Sequence, residues 1–312
     1  MIELNRVSFG YIKQPMLFLD VNIKINNGTL FVFGQKGAGK TSLLELICGM
    51  QNLYVGDIKV CGSKPQQATN NITYLPTDVV ALNNKTVLQN LQYACDAINK
   101  DYSAIDVQDD FVKEFGNVKF KKLSDFNKVI FAFKRAKIKN AKVVLIDVNL
   151  NNFSDQEIQK YSQMLTELSM DKNKLLVISV SAEDFKKLQI NAKKSEICYI
   201  FATKVHKFDN FAQFCNNAKF MGMAEYMQLN NCTATIEFTP SGYILNAQEK
   251  VIKIDDKYVE KIKCYFDDVT TKTQVDFFSN LAISELTDSQ FNLALQNGDI
   301  LLYDKLTTER LN

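Results

Sequence analysis

The segment Gly34-Gln35-Lys36-Gly37-Ala38-Gly39-Lys40-Thr41 constrains this chain more than any other eight residues in it. It fits the pattern glycine, four variable residues, glycine, lysine, then serine or threonine at every fixed position. Leu30 to Gly34 before it is a short unbroken apolar run that reads as a buried strand, and SLLELICGM after it sets Leu43, Leu46, Ile47 and Met50 at helical spacing. Glycines let consecutive backbone N–H groups turn into one concavity, and the start of the following helix adds its positive end. A strand, a glycine loop and a helix in this order therefore bind phosphate oxygens through the backbone. Lys40 is expected to reach the β- and γ-phosphates, and the Thr41 hydroxyl to hold Mg²⁺. The expected ligands are ATP and Mg, with nucleotide contacts from Gly34, Gln35, Lys36, Gly37, Ala38, Gly39, Lys40, Thr41 and Ser42.

Periodicity places the rest of the chain around that loop. Ile2 to Ser8 and Leu19 to Ile25 alternate apolar and polar residues, as half-buried antiparallel strands do. KVVLID (142–147) and KLLVISV (174–180) are apolar on both faces and flank the helical stretch Asp155 to Met170, a βαβ signature of a parallel sheet. Between about Val79 and Phe120 the pattern turns helical, with Val87, Leu91, Ala94 and Ile98 on one face. From Cys232 onward TATIEF, YILNA, KVIKI and KIKCYF read as short strands broken by Pro240 and Gly242. The fold class is α/β: a P-loop NTPase core with an antiparallel β-layer and a helical insertion at about 79–122, followed by a small β-rich C-terminal domain. The expected boundaries are 1–208 for the ATP-binding domain, 209–229 for a linker and 230–312 for the β-rich domain.

Composition agrees with two domains of ordinary globular character. A chain of 312 residues exceeds what one core usually organises. Thirty-seven Lys plus Arg against thirty-five Asp plus Glu leave a net charge of +2 without a basic stripe, so no nucleic-acid partner is expected. Seven cysteines stand apart with no C-x-x-C pair, which points to free thiols in a reducing cytosol rather than disulfides or zinc. No segment is apolar for long enough to span a bilayer, so a membrane role would run through a partner.

Asp147 ends a hydrophobic strand. Read alone it could cap a turn; beside the glycine loop it suits the acidic residue that fixes Mg²⁺ through water. The segment LSDFNKVIFAFKRAKIKNAKVVLID (Leu123 to Asp147) makes the likeness specific. It lines up without a gap on the LSGGQ helix and Walker B strand of ABC-transporter ATP-binding subunits, and Leu123, Ser124, Ala132, Arg135, Ala136 and Asp147 match as they stand. The chain thus resembles that family. The resemblance implies that Tyr11 stacks on adenine, a core tyrosine at a strand end being the alternative. It further implies a homo- or hetero-dimer with another ABC ATPase subunit, membrane permease subunits as partners, and a cytoplasmic place on the inner face of the membrane. Val205 to Asn230, with a Phe220-centred apolar patch, is similar to the region before the regulatory TOBE-like domain of carbohydrate-importer ATPases.

Departures from the family pattern are equally specific. The glutamate that polarises the attacking water is replaced by Val148, and the switch histidine by Val180. The only histidine, His206, lies further on. Thr77 stands where the family has a glutamine after YLP. In the signature, Ser124 remains but Asp125 and Phe126 replace both glycines and Asn127 the glutamine, so a carboxylate and a bulky ring are expected to repel or obstruct a partner's phosphate unless the loop is rearranged. These residues predict an ATP-binding subunit with weak or absent hydrolysis and no intact catalytic set. A non-transport, ATP-dependent switch is the alternative, and the surface around Thr77 discriminates: an apolar groove there favours a membrane partner.

Overall fold

The computed structural model describes residues 1–26, 28–52, 55–216, 221–227, 230–239, 242–247, 250–254, 272–279, 286–297 and 300–304. They divide into two compact units, Met1–Phe211 and Ala212–Asn312. KIKCYF (261–266) and Phe220 lie outside the described residues.

The first unit holds two sheets. β1 (Ile2–Gly10), β2 (Met16–Ile25) and β4 (Val55–Val60) pair antiparallel in the order β2-β1-β4. Phe18, Val21, Ile23 and Ile25 of β2 are buried, and an irregularity at Asp20, whose φ is 53°, shifts the alternation between the first two. One face of this layer packs on the core and the other is solvated. The second sheet runs β5-β6-β7-β3-β8-β9. β3 (Gly28–Gly34), β5 (Ile72–Leu75), β6 (Val143–Asp147), β7 (Leu175–Ser179) and β8 (Glu196–Phe201) are parallel, and β9 (Lys204–Phe208) returns antiparallel. All five residues of β6 and of β7 are buried, as helices on both faces of a parallel sheet require. Because β6, β7 and β3 are neighbours, Asp147, Ser179 and Gly34 arrive together at the carboxyl edge, where open α/β sheets bind ligands.

α1 (Lys40–Cys48) lays Leu43, Leu44, Leu46 and Ile47 against Val32, Leu145 and Val177 of that sheet. The inserted lobe contains α2 (Val87–Asp96), α3 (Asp110–Phe115) and α4 (Asp125–Lys139). Its first helix begins at Val87 and not near Val79. Thr86 and Gln89 form a capping box there, while the buried Asn90 side chain bonds the backbone of Leu82 in both directions, at 2.8 and 3.1 Å. Residues 76–85 are therefore a loop, held in part by Asn90. α5 (Asp155–Ser169) opens on a second capping box, Ser154 with Glu157, and α6 (Ala182–Lys187) on Ser181.

α7 (Phe211–Asn216) and α8 (Met221–Ala224) follow. In the second unit β10 (Asn230–Thr239), β11 (Gly242–Ala247), β12 (Lys250–Ile254), β13 (Lys272–Ser279) and β14 (Leu301–Asp304) form one antiparallel sheet in the order β12-β11-β10-β13-β14. Between the last two strands lies α9 (Asp288–Asn297), which buries Phe291 and Leu295. The sequence reading had no helix here. Its signal was legible: Thr287 and Gln290 exchange the reciprocal bonds of a capping box ahead of apolar residues at helical spacing.

Candidate nucleotide-binding site

The loop between β3 and α1 is shaped by its glycines. Gly39 has φ 101°, and a Cβ there would lie 2.9 Å from the Phe18 ring, so both backbone and space demand glycine. Lys40 folds back over the loop, its ammonium donating to the carbonyls of Gly34 at 2.7 Å and Gln35 at 3.0 Å. Burial lowers the Lys40 pKa below the ordinary lysine range, and Asp147 and Asp184 oppose that shift. Two nearby carboxylates thus favour the charged form. Gln35, Lys36 and Gly37 are exposed at the tip, and Ala38 closes a turn onto the Gln35 carbonyl at 3.1 Å.

Thr41 donates its hydroxyl to the Asp147 carboxylate at 2.6 Å, joining residues 106 positions apart. Asp147 is itself buried. A hydroxyl and a carboxylate are hard oxygen donors of the kind Mg²⁺ takes, and Mg²⁺ fills its remaining positions with water and phosphate oxygens rather than an all-protein cage. The pair fits that ion. Among the described residues no cluster of three or more His, Cys, Asp or Glu would hold a metal without such help.

Val148 and Val180 occupy the ends of β6 and β7 as packed core residues. Their exposures are 6 % and 1 %, and their backbone N–H groups bond Ser179 at 2.8 Å and Val32 at 3.3 Å. His206 sits in β9 opposite Tyr199. Thr77 is exposed and lines a polar cleft of about 270 Å³ with Asp78, Asp125, Lys128, Asp147 and Asn149. Sequence reasoning did not single out Asp184. Its S-x-x-D pairing with Ser181 is visible as a helix cap, but its effect on Lys40 depends on β7 lying beside β3.

The signature segment is arranged differently from expectation. Ser124 is the N-cap of α4, its hydroxyl accepting from the Asn127 N–H at 3.2 Å, so Asp125, Phe126 and Asn127 form the first helical turn. Phe126 does not project as an obstruction: it is 6 % exposed and meets Phe153 edge to face, 5.4 Å between centroids. Hydrophobic burial of the ring outweighs any exposed placement. Asp125 stays in water, paired with Lys128 at 2.9 Å.

Tyr11 is half-buried, edge-on to Phe9, with its hydroxyl 3.0 Å from Ser42 Oγ and 3.3 Å from Glu45 Oε2. Gln51 donates to the same Glu45 oxygen at 3.2 Å. The tyrosine therefore ties the end of β1 to α1 two residues past Lys40. Tyr11→Phe keeps the ring and is expected to lower the unfolding free energy by about 1 kcal/mol, measured by urea denaturation; an unchanged value would mean these bonds are not made in solution.

A parallel sheet with a phosphate-type loop at its carboxyl edge, an antiparallel layer and an inserted helical lobe define a P-loop NTPase. The family model described as "ABC transporter" matches residues 18–181, more than half of the chain, and the chain belongs to that family. It is 28% identical over 197 residues to an ATP-dependent lipid A-core flippase of Methylococcus capsulatus, covering 57% of this chain and 32% of that protein. It is 41% identical over 59 residues to the nickel import system ATP-binding protein NikE of Staphylococcus aureus, covering 19% of this chain and 25% of that one. The chain thus spans a third or less of these relatives. In fold it is similar to a dimeric ATP-binding cassette in a post-hydrolysis state bound to ADP and Pi, with TM-score 0.55 and 18% identity over 67% of this chain and 98% of that chain.

Proposed function

We propose that the chain is the ATP-binding subunit of an ABC transporter that uses bound ATP for association more than for turnover. Gly34 to Ser42 hold the nucleotide, Thr41 and Asp147 the Mg²⁺. The observation that carries this reading is the 2.6 Å bond between Thr41 and Asp147 under a glycine loop, together with packed valines at 148 and 180. A site able to bind but lacking a base fits a subunit that closes on ATP with another ATPase chain and draws membrane subunits with it.

The cleft that Thr77 itself lines is polar and carries three carboxylates, which does not favour a membrane partner there. Support for a transport partner over a free-standing switch comes from a second, separate groove at Val80. That groove, of about 500 Å³, is lined mainly by Val80, Ala81, Leu82, Tyr93, Ala94 and Ile98, with Arg135 and Lys139 at its wall. Val80 is 74% exposed and Leu82 49%. Arg135 fixes the loop, donating to the Val80 carbonyl at 2.8 Å while lying over the Phe131 ring. Exposed aliphatic side chains around a preformed groove suit a helical segment of a partner. Among the described residues no helix of the chain is itself long and apolar enough to cross a membrane, so a peripheral position on the inner membrane face would come through permease subunits. Replacing both Val80 and Leu82 by Glu is expected to leave ATP binding unchanged and abolish co-purification with the membrane subunits. Retained co-purification would favour the switch reading.

The finer assignment to carbohydrate import, with residues 230–312 as a TOBE-like regulatory domain behind a linker at 209–229, rests on the sequence resemblance; residues 212–312 group as one compact unit that holds an antiparallel sheet. The relatives named for lipid A and nickel keep other solutes open for the same kind of subunit.

A further inference from the structure

The geometry points to Ser179 as a positioning residue of the magnesium–nucleotide site, its hydroxyl taking a hydrogen bond from water held between the metal and Asp147. This rests on the phosphate-loop reading proposed above. Ser179 ends β7, in register with Asp147 of β6 on one side and Val32 of β3 on the other. Paired residues of neighbouring strands share a face, and residues two apart along a strand do too. Val32, Leu145 and Val177 belong to the core beneath α1, so Asp147 and Ser179 project to the face from which Thr41 reaches its carboxylate.

Ser179 is 0% exposed, and its Oγ has no hydrogen-bond partner among the described residues. An unpaired buried hydroxyl costs stability, whereas an apolar residue of the same size would not. The hydroxyl therefore acts against the free protein. Loading of the site changes its surroundings. Mg²⁺ keeps several of its waters, and a buried water needs two to four polar partners. One Asp147 oxygen already accepts from Thr41 at 2.6 Å. Ser179 stands on the strand next to β6, whose backbone is one strand spacing of about 4.8 Å away, and its hydroxyl supplies a further partner for a water beside that carboxylate. With metal bound, the hydroxyl contributes to holding that water.

The test is Ser179→Ala, read by melting temperature without nucleotide or metal and by ATP titration in excess Mg²⁺ and in EDTA. Expected are an unchanged or raised metal-free melting temperature, an unchanged affinity in EDTA, and a Mg²⁺-dependent gain in ATP affinity reduced about three- to tenfold. Ser179→Thr, which keeps the hydroxyl, should retain the gain. An unchanged gain in Ser179→Ala, or a lowered metal-free melting temperature, would overturn the proposal, as would a Ser179→Thr protein that melts like wild type and has lost the gain. Wild-type protein that binds no ATP would overturn the phosphate-loop reading itself, a result distinct from these.

Discussion

Steady-state phosphate release from the purified protein is expected to be slower than that of a fully equipped P-loop ATPase by about 10²- to 10⁴-fold, the usual effect of removing a positioned general base. Val148 can neither accept a proton nor orient a water, and it is packed: it is 6% exposed with its N–H bonded to Ser179. In a head-to-tail homodimer both sites would share the defect. Val148→Glu alone is expected to restore little. A carboxyl placed in that packed position loses hydration, which raises its pKa and favours the neutral form, and groups that act as a unit are not additive. Val180 remains apolar in that variant. The measurement is phosphate release from wild type with Lys40→Ala as control for contaminating ATPases. Lys40-dependent turnover near ~1 per second, ordinary for an enzyme, would overturn the degenerate-site reading.

What the sequence could show depended on how local the information was. The glycine loop and the buried runs at 143–147 and 175–179 are written in adjacent residues, and the fold class followed from them. Residues 79–85 read as helical because periodicity cannot register that Asn90 satisfies the Leu82 backbone from outside. Phe126 reads as an obstruction, unless the loop is rearranged, because the family pattern puts glycines there. Its partner, Phe153, is 27 residues away and joins it only when α4 and the segment before α5 are packed. Glu45, Asp184 and Ser179 carry no motif that separates them from any other helix or strand residue. Their importance comes from strand order, which sets β7 between β6 and β3 and thereby puts Ser179 beside Asp147.

The same strand order shapes the cleft in front of the signature helix. Asp78, Asp125 and Asp147 converge on it, with Lys128 the cation among them. A helix N-terminus ordinarily favours anions, and Ser124 still leads α4 with its cap intact. Asp125 supplies negative charge there from within the chain, 2.9 Å from Lys128. An incoming phosphate would meet a carboxylate already in the place its charge would favour. On the degenerate-site reading proposed above, the signature's defect would be electrostatic, with Phe126 turned away from it.

Lys40→Ala is expected to remove most nucleotide affinity, by about ten- to a hundredfold, the range for losing hydrogen bonds made by a charged group. In the free chain the ammonium is satisfied by two loop carbonyls, Gly34 at 2.7 Å and Gln35 at 3.0 Å. These bonds hold the side chain over the loop. Burial works against its charge while Asp147 and Asp184 work for it. A phosphate chain adds counter-charge to that of the two carboxylates. The alanine variant should keep the backbone amides of the loop and hence a residual affinity, since the N–H groups of residues 35–41 do not depend on that side chain. The discriminating experiment is a fluorescent-ATP titration of both proteins, with urea denaturation to show that the variant is folded. Unchanged binding by a folded Lys40→Ala protein would mean that the nucleotide does not sit at this loop, and the Thr41–Asp147 pair would then need a different account.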